Sequence, residues 1–207
     1  MYILSRRTSA LTTACTANPG LVPITCDITS KPSLQSAVDA ITAQSGHINL
    51  LVANSGILGP TASFAPGKSV SELRKSMFVD TSMQEFGQVF EVNTTATYFT
   101  MLAFLELLDA GNAAALKGGF GKPVKDGGEG PGIQSQVLVT SSVAAFLRES
   151  MCAPAYAGSK AAIVHLVKHA SSGLARHGIR VNALAPGCMS IILSHCFAAD
   201  ACPRVSV

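Results

Sequence analysis

The sequence predicts an α/β fold built on a parallel sheet, and three observations carry that expectation. Short, nearly unbroken apolar runs recur at residues 2–4, 22–26, 48–52, 137–139 and 179–184. Unbroken runs of that length suit strands buried on both faces better than strands with one wet face. Between them stand stretches with helical spacing of apolar residues, such as Leu34, Val38 and Ile41, or Ile163, Leu166, Val167 and Ala170. Charged residues are also scarce, 13% of a 207-residue chain. A chain of that length is one domain by expectation and can bury a substantial core.

Taken in order, residues 2–4 read as a strand running into Ser5-Arg6-Arg7. The first 20 residues hold two Arg, many Ser and Thr and no acid before Asp27. That composition mimics a mitochondrial presequence, but a strand and its loop is the preferred reading. Residues 22–26 form the next strand, ending at Asp27. Ser30 and Pro32 then open a helix that Gly46 closes. The strand at 48–52 leads into Ala53-Asn54-Ser55-Gly56. Residues 58–81 are a Pro/Gly/Ser-rich loop with a short charged helix at 71–75. Its Pro66-Gly67-Lys68-Ser69 fails as a phosphate-binding loop, because Ala62 stands where the first Gly must be.

A long helix is expected from Met83 to about Leu108, with Phe86, Phe90, Val92, Phe99, Leu102, Phe104 and Leu107 on its apolar face. Its most apolar part, 96–108, is too short to span a bilayer and carries Glu106, so it reads as a core helix. The Asn93-Thr94-Thr95 sequon falls inside this helix and is set aside as a glycosylation site. Residues 111–132 are glycine-rich and of mixed charge, and read as a flexible surface insertion. Their glycines follow a helix and precede a strand, the reverse of the order a dinucleotide fingerprint needs.

The chemistry concentrates between residues 137 and 160. The strand there ends at Ser141 and Ser142, Tyr156 follows Ser142 by fourteen residues, and Lys160 lies four residues further on, at the start of a helix. Residues four apart share a helical face, so phenol and ammonium can point into one cleft. An ammonium about 4 Å from a phenol oxygen favours the phenolate by about 4 kcal/mol at an effective dielectric of about 20. A Tyr so placed can serve as a general acid or base.

Tyr-x-x-x-Lys alone occurs by chance on many helices. Here it follows a strand with Ser-Ser and precedes a strand ending in Asn182-Ala183-Leu184-Ala185-Pro186-Gly187. Together these resemble the short-chain dehydrogenase/reductase family over about residues 2–190. The resemblance implies a Rossmann-like doubly wound parallel sheet and reversible hydride transfer between a nicotinamide cofactor and a carbonyl or secondary alcohol. It implies catalytic roles for Asn93, Ser142, Tyr156 and Lys160. Ser142 to Tyr156 is one residue longer than is common in the family, which leaves Ser141 as the alternate if the strand end slips. Cofactor-binding roles are implied for Arg6, Asp27, Asn54, Gly56, Tyr156, Lys160, Pro186 and Gly187. The family's Asn-Asn-Ala-Gly turn is matched here at Asn54 and Gly56 but not at Ala53 or Ser55. Ser5-Arg6 stands where an acid would bind the ribose of NAD, so NADP(H) is expected over NAD(H). The family's dimer face would fall on the helices carrying Asn93 and Tyr156, implying a homodimer or homotetramer.

The sequence also departs from the family. The opening strand, its T-G-x-x-x-G-x-G turn and the helix behind it are not in this sequence, nor are the closing elements. Ile191 stands where a Thr usually contacts the nicotinamide amide, and 191–207 match nothing in the family. The expectation is therefore an incomplete domain over 1–190 followed by a non-family tail. A pyrophosphate site held by three charge-assisted hydrogen bonds of about 1.5 kcal/mol or more each would be worth about a thousandfold in affinity. Two other classes follow from that: a cofactor-deficient remnant without catalysis, or an interaction protein.

Composition narrows the partners. The net charge of +3 is small and unclustered, which disfavours nucleic acid. No run is long enough for a membrane span. Six cysteines without metal-site spacing read as reduced, mostly buried thiols of a cytoplasmic protein, with no metal.

Overall fold

Each apolar run becomes a strand, and each of the first four strands is followed by a helical connection. The computed structural model describes residues 1–125 and 128–187. Its strands are β1 (Tyr2–Ser5), β2 (Val22–Thr25), β3 (Leu50–Ala53), β4 (Gln136–Thr140) and β5 (Arg180–Leu184). Helix α1 (Thr8–Ala17) links β1 to β2, and α2 (Lys31–Ser45) links β2 to β3. Helices α3 (Val70–Arg74), α4 (Met83–Phe90), α5 (Thr97–Ala103) and α6 (Leu105–Leu116) lie between β3 and β4. Helix α7 (Pro154–Leu174) joins β4 to β5. All pairings are parallel.

The strands divide into two sheets. β1 pairs with β2 in one, and β3, β4 and β5 lie in that order in the other. Among the described residues, β1, β2, β3 and β5 therefore each present an unpaired edge. What joins the halves is packing. The first core lies under the three-stranded sheet, where Ala53, Val137, Val139 and Val181 meet Met101, Leu108, Ile163 and Val167. The second joins Leu34, Val38 and Ile41 of α2 to Phe104 and Leu107. Ile48 and Leu51 touch both clusters, so the start of β3 is the seam. Burying each such Val, Leu or Ile side chain is worth about 1.5–3 kcal/mol, which suffices to hold two sheets without a shared ladder.

The expectation of burial on both faces is corrected for the larger sheet. Alternation along β3 puts Leu51 and Ala53 into the core but leaves Leu50 47% and Val52 52% exposed. Along β5, Val181 is buried while Arg180, Asn182 and Leu184 are exposed. Among the described residues, helices cover one face of β3–β5 only. The fold is an incomplete α/β core.

Helix α2 forms as its sequence dictates. The Ser30 hydroxyl accepts from the Ser33 amide at 3.4 Å, Pro32 sits in the first turn, and Leu34, Ala37, Val38 and Ile41 bury one stripe. Helix α1 is a departure, since residues 8–17 were expected as loop. Its apolar stripe is too weak to see, with only Leu11 buried. Thr12, Thr13 and Thr16 turn their hydroxyls back onto carbonyls four residues earlier, at 2.9–3.0 Å.

The long helix expected from Met83 is another departure. It runs as α4, then a π-helical segment at Glu91–Ala96, then α5, then a break at Phe104. Segments Met83–Ala103 and Leu105–Leu116 meet at 42°. A π segment adds a residue to the turn and commonly marks a functional position; this one carries Asn93, Thr94 and Ala96 inward. Helix α6 also overruns its expected end, because Gly111–Leu116 are helical with Gly111, Asn112 and Ala115 buried. The glycine-rich insertion thus begins after Leu116. Asn112 shows why the helix continues: its amide donates to the Gly178 carbonyl at 2.9 Å and accepts from the Ser135 amide at 2.7 Å. One side chain thereby pins the starts of β4 and β5.

Two smaller expectations also shift. The short helix in the 58–81 loop spans Val70–Arg74 and runs on into a π turn at Lys75–Val79. Of the described cysteines, Cys26 is buried whereas Cys15 and Cys152 are only half-buried; Cys188, Cys196 and Cys202 lie outside the described residues. No single helix among the described residues is long and apolar enough to cross a membrane.

Gly111 is required by close approach. A Cβ there would fall on the Ile48 carbonyl oxygen and stand 2.8 Å from Ser135 Oγ. Gly111→Ala, normally favourable in a helix, should therefore destabilise the chain by about 1–3 kcal/mol, read from urea unfolding.

Candidate active site

The site is assembled at the carboxyl ends of β3, β4 and β5, where open α/β sheets bind their ligands. Helix α7 begins with Pro154 in its first turn, which places Tyr156 near the helix start and Lys160 one turn deeper. Tyr156 is half-buried. Lys160 is only 4% exposed, and its Nζ lies 5.8 Å from the centre of the Tyr156 ring. The ammonium donates one hydrogen bond, to the Thr140 carbonyl at 2.7 Å. Burial away from water pushes the Lys160 ammonium below its ordinary value, with no carboxylate paired to it among the described residues.

The two serines after β4 take different parts. Ser141 is buried, its amide donating to the Leu184 carbonyl at 2.7 Å and its hydroxyl to the Lys160 carbonyl at 2.9 Å. Its oxygen is committed to holding α7 on the strand. Ser142 is half-buried and extended, and its hydroxyl caps the short 3₁₀ turn Val143–Ala145 by accepting from the Ala144 amide at 3.2 Å. Its O–H hydrogen has no acceptor among the described residues, which leaves Ser142 as the serine able to donate to a ligand. Val143 donates to the Pro186 carbonyl at 3.0 Å, which draws the Pro186-Gly187 turn against the same loop.

Asn93 faces this cluster from the π segment. It is 1% exposed and makes three of its four possible side-chain hydrogen bonds: Oδ1 accepts from the Ile57 amide at 2.8 Å, and Nδ2 donates to the Ile57 carbonyl at 2.9 Å and to Ser159 Oγ at 3.0 Å. A Cβ on Gly56 would stand 3.2 Å from Asn93 Oδ1 and 3.4 Å from Lys160 Nζ. The turn after β3, the π segment and α7 therefore meet at Gly56, where a Cβ would press on Asn93 Oδ1 and come into contact with Lys160 Nζ. Asn54 joins through its Oδ1, which accepts from the Thr140 hydroxyl at 2.8 Å.

Of the residues singled out in the sequence, Asn54, Gly56, Asn93, Lys160 and Tyr156 form one cluster, with Ser142, Pro186 and Gly187 on the adjoining loops. Arg6 and Asp27 stand apart from it, at the ends of β1 and β2. They approach each other at 4.0 Å, with Arg6 largely exposed and Asp27 half-buried. The Asp27 carboxylate accepts from the Thr29 amide at 2.9 Å and hydroxyl at 2.7 Å, which holds it below the usual carboxylate range.

Three residues of the cluster are not apparent from the motifs. Ser159 is fully buried, accepts from Asn93 and donates to the Tyr156 carbonyl at 2.8 Å. Thr94 donates to the Ser159 carbonyl at 3.0 Å. Thr140 carries the bonds to Lys160 and Asn54. A polar residue at an inward helical position, next to a lysine, was the available signal for Ser159.

The short chain dehydrogenase family pattern matches residues 2–116 and 131–196, most of the chain. The chain belongs to the short-chain dehydrogenase/reductase family. Family members are oxidoreductases. The chain is 58% identical over 188 residues to the short-chain dehydrogenase/reductase SAT3 of Stachybotrys chartarum, covering 90% of this chain and 69% of that protein. It is 40% identical over 197 residues to the short-chain dehydrogenase/reductase VdtF of Byssochlamys spectabilis, covering 90% of this chain and 64% of that one. Among solved structures it is similar to a short-chain type dehydrogenase/reductase from Mycobacterium marinum, with a TM-score of 0.68 at 24% identity over 90% of this chain and 63% of the other. The chain thus spans about two thirds of the length of these relatives.

Lys160 supplies a test in stability. Below its depressed folded-state value the ammonium is charged in both folded and unfolded chains, and the cost of burying it is fully present. As pH rises from that value towards about 10.5, the unfolded state holds more protons and the folded state gains relative stability. Lys160→Met removes the buried charge and should stabilise the chain at pH 7 by about 0.5–2 kcal/mol. The gain over wild type should shrink by pH 10.5, as followed by urea unfolding at both pH values.

Proposed function

We propose that this chain is an NADP(H)-dependent oxidoreductase interconverting a carbonyl and a secondary alcohol. The observation that carries the reading is Lys160. Its ammonium is nearly all buried and uses one of three donors among the described residues, one helical turn from a half-exposed phenol. A desolvated cation so held is costly unless a ligand completes its hydrogen bonds.

The residues present suit two ends of a dinucleotide. Lys160, Tyr156, Pro186 and Gly187 would hold the nicotinamide riboside, while Asp27, Asn54 and Gly56 would line the adenosine. Gly56 lets the turn after β3 pass against Asn93 Oδ1 and Lys160 Nζ, which keeps that turn beside the Lys160 ammonium. Arg6 in place of an acid supports the phosphorylated form, because an exposed guanidinium attracts a 2′-phosphate.

When bound, the reduced nicotinamide supplies the hydride. In that direction Tyr156 gives its phenolic proton to the substrate oxygen as the carbonyl carbon is reduced, yielding the alcohol and a phenolate. Ser142 donates a hydrogen bond to the same oxygen and holds it as charge develops. Lys160 stabilises the phenolate and binds the ribose hydroxyls, and Asn93 positions a water between Lys160 and solvent that restores the proton. Assembly would use the face of α4–α5, where Met83, Phe86 and Leu102 are exposed, together with α7, in a homodimer or homotetramer. The thiol chemistry suits the cytoplasm.

A second reading is favoured by the divided sheet. With the β1 and β3 edges unpaired among the described residues, the chain would be a cofactor-deficient remnant without catalysis. Fluorescence titration separates the two. NADPH should bind in the micromolar range and more tightly than NADH, whereas millimolar or absent binding of both supports the remnant. In the first case Tyr156→Phe should lower kcat by at least about a thousandfold with cofactor Kd nearly unchanged. Equal loss of both would assign Tyr156 to binding.

A further inference from the structure

Thr140 stands one residue beyond the last pair that β4 shares with β3, Ala53↔Val139, while on the other side it still pairs with Leu184 of β5. Where the backbone ladder to β3 stops, its side chain takes over, the hydroxyl donating to Asn54 Oδ1 at 2.8 Å. Its carbonyl accepts from Lys160 Nζ at 2.7 Å, the ammonium's one hydrogen bond among the described residues. The neighbouring Ser141 hydroxyl donates to the Lys160 carbonyl at 2.9 Å. One dipeptide at the strand end thus holds both ends of Lys160 and the turn bearing Asn54 and Gly56.

We infer that Thr140 is a positioning residue: its hydroxyl ties the Asn54 turn to β4 and thereby fixes the carbonyl on which the Lys160 ammonium rests. What the positioned groups then bind follows the reductase reading above. The inference is specific to the hydroxyl. A strand end tied on both sides tilts less freely than one tied only to β5, and the Thr140 carbonyl would move with any tilt. Lys160, with no other acceptor among the described residues, would follow.

Thr140→Val removes the hydroxyl and keeps the shape; Thr140→Ser keeps the hydroxyl. Three measurements decide: NADPH affinity by fluorescence, the Lys160 Nζ signal and its pH midpoint by NMR (assigned against Lys160→Met), and the urea midpoint. Thr140→Val should weaken NADPH binding by about tenfold and move the Lys160 signal and midpoint, whereas Thr140→Ser should stay within about threefold and leave the signal in place. Asn54→Leu, which alters the acceptor, should shift the Lys160 signal as Thr140→Val does, and the double variant should shift it no further. That arm carries the test if Thr140→Val does not fold. The inference is overturned if Thr140→Val leaves affinity and the Lys160 signal at wild-type values. It is equally overturned if Thr140→Ser fails as badly as Val, which would assign the effect to packing. Should the wild-type chain bind neither NADPH nor NADH, the reductase reading falls, and the Lys160 signal alone then upholds or overturns the positioning role.

Discussion

The arrangement depends on one buried cation. A lysine ammonium withdrawn from water must be compensated, and Lys160 has no carboxylate beside it among the described residues. Its compensation is the Thr140 carbonyl, a fixed backbone dipole at a strand end. That choice explains much of the neighbouring structure. Ser141 anchors the lysine's own backbone, Ser159 links the same helical turn to Asn93, and the π segment brings Asn93 to the Ile57 peptide. Each bond immobilises an element that would otherwise let water reach the ammonium or let the ammonium leave.

The use of backbone groups rather than a counter-ion has a chemical consequence. A carboxylate partner would neutralise Lys160 and occupy its donors. Among the described residues a single carbonyl leaves the charge uncancelled and two donors available, 5.8 Å from the Tyr156 ring. An uncancelled cation in a low-dielectric setting acts on a nearby developing anion far more strongly than one at the surface. The site gives up stability to keep that charge available, which is the usual relation between a functional group and its fold.

Where a local pattern is strong, the sequence reads through to the structure. The five apolar runs become the five described strands, because unbroken Val, Ile and Leu between turn residues has few other uses. The stretch 30–46 carries cap, proline, stripe and terminator together, and α2 follows it closely. Tyr156 and Lys160 fall on one helix because their spacing permits little else. Tertiary causes are what the sequence hides. Helix α1 buries only Leu11, so nothing periodic announces it. The residue added at the π segment is invisible to a 3.6-residue count, and its purpose becomes clear only with Ile57 and Ser159 in place. Gly111 and Asn112 look like the start of a loop because glycine and asparagine commonly end helices. In α6 they serve a close approach to Ile48 and a bridge between strand starts, both set by residues far away in the chain.

The division of the sheet sharpens how the site is built. Asn54, Gly56, Asn93, Ser142, Tyr156, Lys160, Pro186 and Gly187 all sit on or beside β3, β4, β5 and the helices that cover them. Their mutual bonds cross no unpaired edge. Arg6 and Asp27 belong to the other half, which reaches the first through apolar packing at Ile48 and Leu51 rather than through a ladder. Packing of that kind tolerates small shifts that a hydrogen-bonded ladder forbids. The geometry around Lys160 is therefore set within one half of the molecule, whereas the distance from Lys160 to Arg6 is set by the seam. Whatever pairs with the edges of β1 and β3 would act on that distance first and on the Tyr156–Lys160 geometry hardly at all. The Arg6–Lys160 separation and the Tyr156–Lys160 geometry are in this way governed by different parts of the same fold.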